Sequence, residues 1–147
     1  MIVTSAGGLP ARESLSVERT DRDDWILLVV RGELDLATEG QLLLAACAVL
    51  QERTGHPVVI DLSGLCFIDS HGLSELVMIS HEATSCDQEV RVVAAGNRRL
   101  RSMLRVVGQL PIYDSIDDAS PACTDANRSR RAPLPKEPPG GAERLGA

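Results

Sequence analysis

Apolar residues along the chain change their spacing several times, and each change marks an element. Glu13 to Thr20 alternate weakly, with Leu15 and Val17 apolar, which predicts an edge strand. The polar cluster at 20–24 reads as a turn, and Trp25 to Arg31 as a strong strand. Thr38 and Gln41 then have the spacing of a capping box, which predicts a helix running to about Arg53 with Leu42, Leu43, Ala46, Val49 and Leu50 as its buried stripe. Gly55-His56-Pro57 breaks that helix. The uninterrupted apolar run at 58–62 predicts a central strand buried on both faces. Residues 63–69 read as a loop. From Ser70 the period turns helical, with Leu73, Leu76, Val77 and Ser80 on one face. A further strand is expected at 90–95. Asn97 caps the next helix, whose apolar face is Leu100, Met103, Leu104 and Val107, and Gly108 stops it. Residues 112–119 supply a short strand or turn and a helical fragment.

The order is β-β-α-β-α-β-α with a short closing piece. Alternation of strands and helices predicts an α/β domain with a partly parallel sheet and right-handed crossovers. From Pro121 onward the chain holds five of its eight prolines and loses periodicity. Three regions are therefore expected: a flexible arm at 1–12, one domain at 13–120, and a disordered Pro/Arg-rich tail at 121–147.

Composition narrows the function. Trp25, Phe67 and Tyr113 are the only aromatic residues among 147, so aliphatic side chains build the interior and no base-stacking platform is available. The formal net charge is −6. Residues 1–120 carry 18 acids against 10 bases, while 121–147 carry 3 against 5. An acidic domain repels nucleic acid and anionic membranes, so neither is expected as a direct partner. Cys47, Cys66, Cys86 and Cys123 show no CxxC spacing and read as small core hydrophobes in a reducing compartment. With no visible signal peptide and no apolar run of about 18 residues, the expected location is cytoplasmic.

The junction Leu65-Cys66-Phe67-Ile68-Asp69-Ser70-His71-Gly72-Leu73 carries the candidate chemistry. Asp69, Ser70 and His71 hold the letters of a hydrolase triad, but adjacent residues at a helix start diverge, and Ile68 stands where a nucleophile elbow needs glycine. His81-Glu82 begins like a zincin helix, yet Ser85 replaces the second histidine. His56, His71 and His81 have no ligand spacing and read as exposed. Asp61 at a strand end suggests a phosphorelay receiver, but no lysine precedes Lys136. Asp61 is better read as a carboxylate that orders a loop. No catalytic residue, metal or cofactor is expected.

Ser70 meets the N-terminus of a helix, where unpaired N–H groups favour a side-chain oxygen. Ser70 can cap the helix, or Asp69 can, which leaves the Ser70 hydroxyl exposed. Gly72 would keep the first turn uncluttered for an approaching active site. Phosphorylation there would add about −1.5 to −2 charge, which the helix N-terminus could hold without breaking the fold.

The stretch 58–73, VVIDLSGLCFIDSHGL, resembles the signature of STAS domains, most closely the bacterial anti-sigma factor antagonists. RGELDLAT at 31–38, VRVVAAGNRRLRSML at 90–104 and LPIYDSIDDA at 110–119 agree in order and spacing, so the resemblance covers about 13–120. It implies the STAS fold: a mixed sheet of four to five strands with helices mainly on one side. It also implies partner switching. The antagonist binds an anti-sigma factor that is also a serine kinase with an ATP-binding fold, is released when phosphorylated, and is restored by a serine phosphatase. The resemblance makes Ser70 the phosphoacceptor. Asp35, Asp69, His71, Gly72 and Leu73 complete the partner-binding set. His71 stands where many members have a second hydroxyl. The alternative is a sensory or scaffold STAS module in a stress-signalling complex that is not phosphorylated.

Overall fold

Leu15 and Val17 are fully buried; Val17 lies in β1 (Ser16–Asp21) and Leu15 immediately precedes it. The structure, a computed structural model, describes residues 14–108 and 110–121. The expected arm at 1–12 and all of the expected tail except Pro121 lie outside the described residues. β1 pairs antiparallel with β2 (Ile26–Leu34). A 3₁₀ turn (Leu36–Thr38) leads to α1 (Gln41–Glu52), then β3 (Val58–Ile68) and α2 (Ser70–Ser85). β4 (Val90–Val93), α3 (Arg98–Val107), β5 (Ile112–Tyr113) and α4 (Ile116–Ala119) follow.

The sheet order is β1-β2-β3-β4-β5, and every pair after the first is parallel. The carboxyl ends of β2, β3 and β4 therefore open on one edge. Alternation along the strands sorts the two faces of the sheet. Leu28, Ile60 and Val92 pack with Leu42, Leu50, Leu76, Ile79, Leu100 and Leu104 of α1, α2 and α3. Leu27, Val59 and Val93 face the other way, where Ala119 of α4 covers them. Arg91, on that second face, is buried at 4% exposure; it pairs with Glu89 and donates to the Ala119 carbonyl at 2.8 Å. The mixed five-stranded sheet with helices mainly on one side is the expected architecture.

Four local expectations are corrected. Residues 63–68 are strand, not loop: β3 continues to Ile68 alongside Leu34. Two register shifts, each placing an extra residue in β3, let polar residues and glycine interrupt the pattern while the ladder persists. Thr38 does not cap α1. Its hydroxyl and N–H exchange hydrogen bonds with Asp35, closing the 3₁₀ turn, and Gly40 takes the α1 N-cap with φ 87°. Leu43 of α1 is half-buried, and Ala45 completes that stripe. The three described cysteines are not core residues: Cys47 and Cys86 are half-buried and Cys66 is exposed, while Cys123 lies outside the described residues. On α3, Leu100 and Leu104 are buried as expected, with Asn97 and Gly108 at the ends. The side chain of Val107 is outside those described.

Candidate functional site

Three loops meet at the shared carboxyl edge: 35–40 after β2, 69–70 after β3, and 94–97 after β4. β3 ends at Ile68, and Asp69 follows it with extended backbone and one last bond to β2. Its N–H donates to the Leu34 carbonyl at 3.3 Å, and its carboxylate accepts the Gly72 N–H at 3.0 Å. Asp69 is thus the N-cap of α2. Ser70, the first helical residue, is exposed, and its hydroxyl has no hydrogen-bond partner among the described residues. The two roles left open by the pattern are divided: Asp69 caps, and Ser70 faces solvent.

Burial pushes the Asp69 carboxyl up, but N–H donors from Gly72, His71 and Leu36 outweigh it and hold the group below the usual carboxylate range. The His71 ring nitrogen lies 3.5 Å from the second carboxylate oxygen. Asp35 and Asp69 line one shallow cleft with Leu36 and Ala37 between them. Leu36 is 59% exposed there, an apolar side chain beside two carboxylates.

The expected partner-facing set divides. Asp35, Asp69, Ser70 and His71 come together at the surface. Gly72 is buried. A Cβ added to it would lie 2.4 Å from the Leu34 carbonyl and 2.8 Å from Ile68 Cγ1. The bare α-carbon lets α2 close on β2, and does not open the turn to a visitor. Leu73 is half-buried against the main core.

Glu75 belongs to the site's framework and was missed in the sequence. Its side chain is 4% exposed, and one carboxylate oxygen accepts the Gly40 N–H while the other has no partner among the described residues. Burial raises its pKa, opposed by the Gly40 bond and helped by nearby Glu39. The signal was present: Glu75 interrupts the stripe formed by Gly72, Leu76, Ile79 and Ala83. Glu75 thereby holds the Gly40 end of the 36–40 loop, while Asp69 faces its Leu36 end across the cleft.

Asp61 orders the neighbouring backbone, accepting the Ser63 N–H at 3.0 Å, and Ser63 Oγ in turn accepts the Ala95 N–H at 2.8 Å. These bonds fasten the loop before α3 to the β3 bulge. Among the described residues no cluster could hold a metal ion, and no helix is long and apolar enough to cross a membrane.

A family model described as Mlab, STAS domain, matches residues 17–109. A crystal structure of an anti-sigma factor antagonist from Mycobacterium paratuberculosis is 32% identical, covers 80% of this chain and 100% of that chain, and superposes with a TM-score of 0.66. The fold alone is shared with RsbS of Moorella thermoacetica, in a serine-to-glutamate form, at 17% identity, 76% and 97% coverage and a TM-score of 0.63. It is shared likewise with the phosphorylated form of the Bacillus cell fate determinant SpoIIAA, at 14% identity, 78% and 100% coverage and a TM-score of 0.55. No curated protein matches the chain in sequence. The chain is a STAS-domain protein of the bacterial anti-sigma factor antagonist family.

Proposed function

We propose that the protein is an anti-sigma factor antagonist that binds an anti-sigma factor with serine-kinase activity and an ATP-binding fold, and that phosphorylation of Ser70 ends the complex. The observation that carries this reading is the division of labour between Asp69 and Ser70. Because Asp69 satisfies the helix N-terminus, the Ser70 hydroxyl is exposed and can be modified without dismantling a cap.

A phosphate there would sit beside Asp69 and across the cleft from Asp35. It would make an acidic surface more negative, and a bound partner would have to desolvate or repel it. His71 and Leu36 would contribute to the same interface, one titratable and one apolar. A serine phosphatase would restore the binding form. The chain acts in this scheme as a binding protein and kinase substrate in transcription regulation.

The test is incubation with the cognate kinase and ATP, followed by phosphosite mapping. One phosphate on Ser70 and release of the partner are expected. Modification elsewhere, or none, would refute the switch.

A further inference from the structure

Two of the four arginines of α3 are placed against local electrostatics. Arg98 and Arg99 occupy its first turn, where the helix dipole disfavours positive charge. Both are exposed, as is Arg105. Among the described residues these three have no ion-pair partner, whereas Arg19, Arg31, Arg53, Arg91 and Arg101 each have at least one and Arg22 lies over the Trp25 ring. Helical spacing puts Arg98, Ser102 and Arg105 in one row, with Arg99 and Val106 beside it. Val106 is 86% exposed.

At the edge of this face, Arg99 lines a groove of about 110 Å³ between α3 and the end of β3. Cys66, Phe67 and Ile68 form one wall, and Asn97, Arg99 and Met103 the other. Phe67 is 49% exposed, a costly position for one of three aromatic residues in the chain. The groove opens on the same sheet edge as Ser70, but its charge is opposite to that of the Asp35–Asp69 cleft. Unpaired cations at an unfavourable helix end, next to exposed apolar surface, break a local rule with no compensation among the described residues.

We infer that the groove and the arginine face of α3 form a second docking surface, which receives an acidic segment of a partner protein with one apolar side chain inserted beside Phe67. Charge complementarity selects the occupant: carboxylates meet Arg98, Arg99 and Arg105, while the groove has room for an apolar anchor. The inference goes beyond the Ser70 switch and does not need it.

The experiment titrates isotope-labelled full-length protein with a short Asp/Glu-rich peptide carrying one central leucine. Controls are the same peptide with lysine for its acids, the acidic peptide without leucine, a DNA oligonucleotide, and phosphatidylglycerol/phosphatidylcholine vesicles. The acidic leucine peptide should shift amide signals at Phe67, Asn97, Arg99 and Met103, and should bind more tightly than every control. The double variant Arg98→Glu, Arg99→Glu should weaken it about tenfold or more and flatten its salt dependence. The same variant should melt at a higher temperature than wild type, since acids suit a helix N-terminus, so lost binding would not reflect unfolding. Ser70→Ala should bind the peptide unchanged, which separates this surface from the phosphoswitch. Undiminished binding by the arginine variant, shifts away from the groove, or tighter binding of DNA or vesicles would overturn the inference.

Discussion

The Asp69 carboxylate accepts the Gly72 N–H at 3.0 Å, and that bond leaves the neighbouring Ser70 hydroxyl unengaged. Asp69→Ala should therefore cost about 1 kcal/mol as a lost cap. Ser70→Ala should stay within about 0.5 kcal/mol of wild type, as an exposed substitution does. Denaturant unfolding of both variants checks the ordering. A reversed order would make Ser70 the cap.

Binding should sort the serine variants differently. Ser70→Ala should block modification and keep partner affinity. Ser70→Asp should weaken affinity, but less than phosphate does, because it carries one charge where phosphate carries about −1.5 to −2. Titration calorimetry against the cognate anti-sigma factor measures both. Tight binding by Ser70→Asp would contradict the electrostatic switch.

Alanine is a better helix former than glycine, yet Gly72→Ala should destabilise the protein by about 1–3 kcal/mol. Its Cβ would meet the Leu34 carbonyl at 2.4 Å, and backbone must move to admit it. A thermal melt at or above that of wild type would show that α2 can shift without loss.

Asp69 and Glu75 should give opposite pH dependences. The folded-state pKa of Asp69 is lowered, so its contribution is present above the unfolded value of 3.8 and is lost as pH falls through the folded value. The folded-state pKa of Glu75 is raised, so its ionisation works against folding as pH climbs from 4.5 through the folded value. Glu75→Gln should consequently gain stability relative to wild type as pH rises through that window. Asp69→Asn should lose relative stability as pH rises from below 3.8. Unfolding free energies from about pH 3 to 8 give both signs; a Glu75→Gln difference that is flat with pH would mean the carboxyl stays solvated.

Ile60→Asp should cost about 4 kcal/mol or more, because Ile60 is fully buried in central β3 and an aspartate there brings an unpaired charge. Urea unfolding would register the change.

Much of this molecule could be read from side-chain period. β2, the first part of β3, α2 and α3 fall where the apolar spacing places them, because each buries one face or stripe against the sheet. The candidate Ser70 was equally legible, since a hydroxyl and a carboxylate at the start of an apolar helical repeat signal an N-terminus. Period fails where pairing, not burial, holds the backbone. Gly64, Cys66 and Phe67 do not alternate, yet they are strand because Arg31 to Leu34 supply the neighbouring ladder and the bulges absorb the mismatch.

The site's interior was decided only in three dimensions. Thr38 matched a capping box at one spacing, but Asp35 captured it at another, because the turn after β2 delivers Asp35 within reach first. Gly72 looked like an open doorway from its sequence neighbours; the proximity of Leu34, on a different strand, made it a packing requirement. Glu75 became a clamp only when α2 brought it to Gly40. Local sequence determines which residues cap, turn and bury a face. Which buried polar group finds which backbone N–H depends on chain segments distant in sequence, whose meeting is set by the order and direction of strands in the sheet.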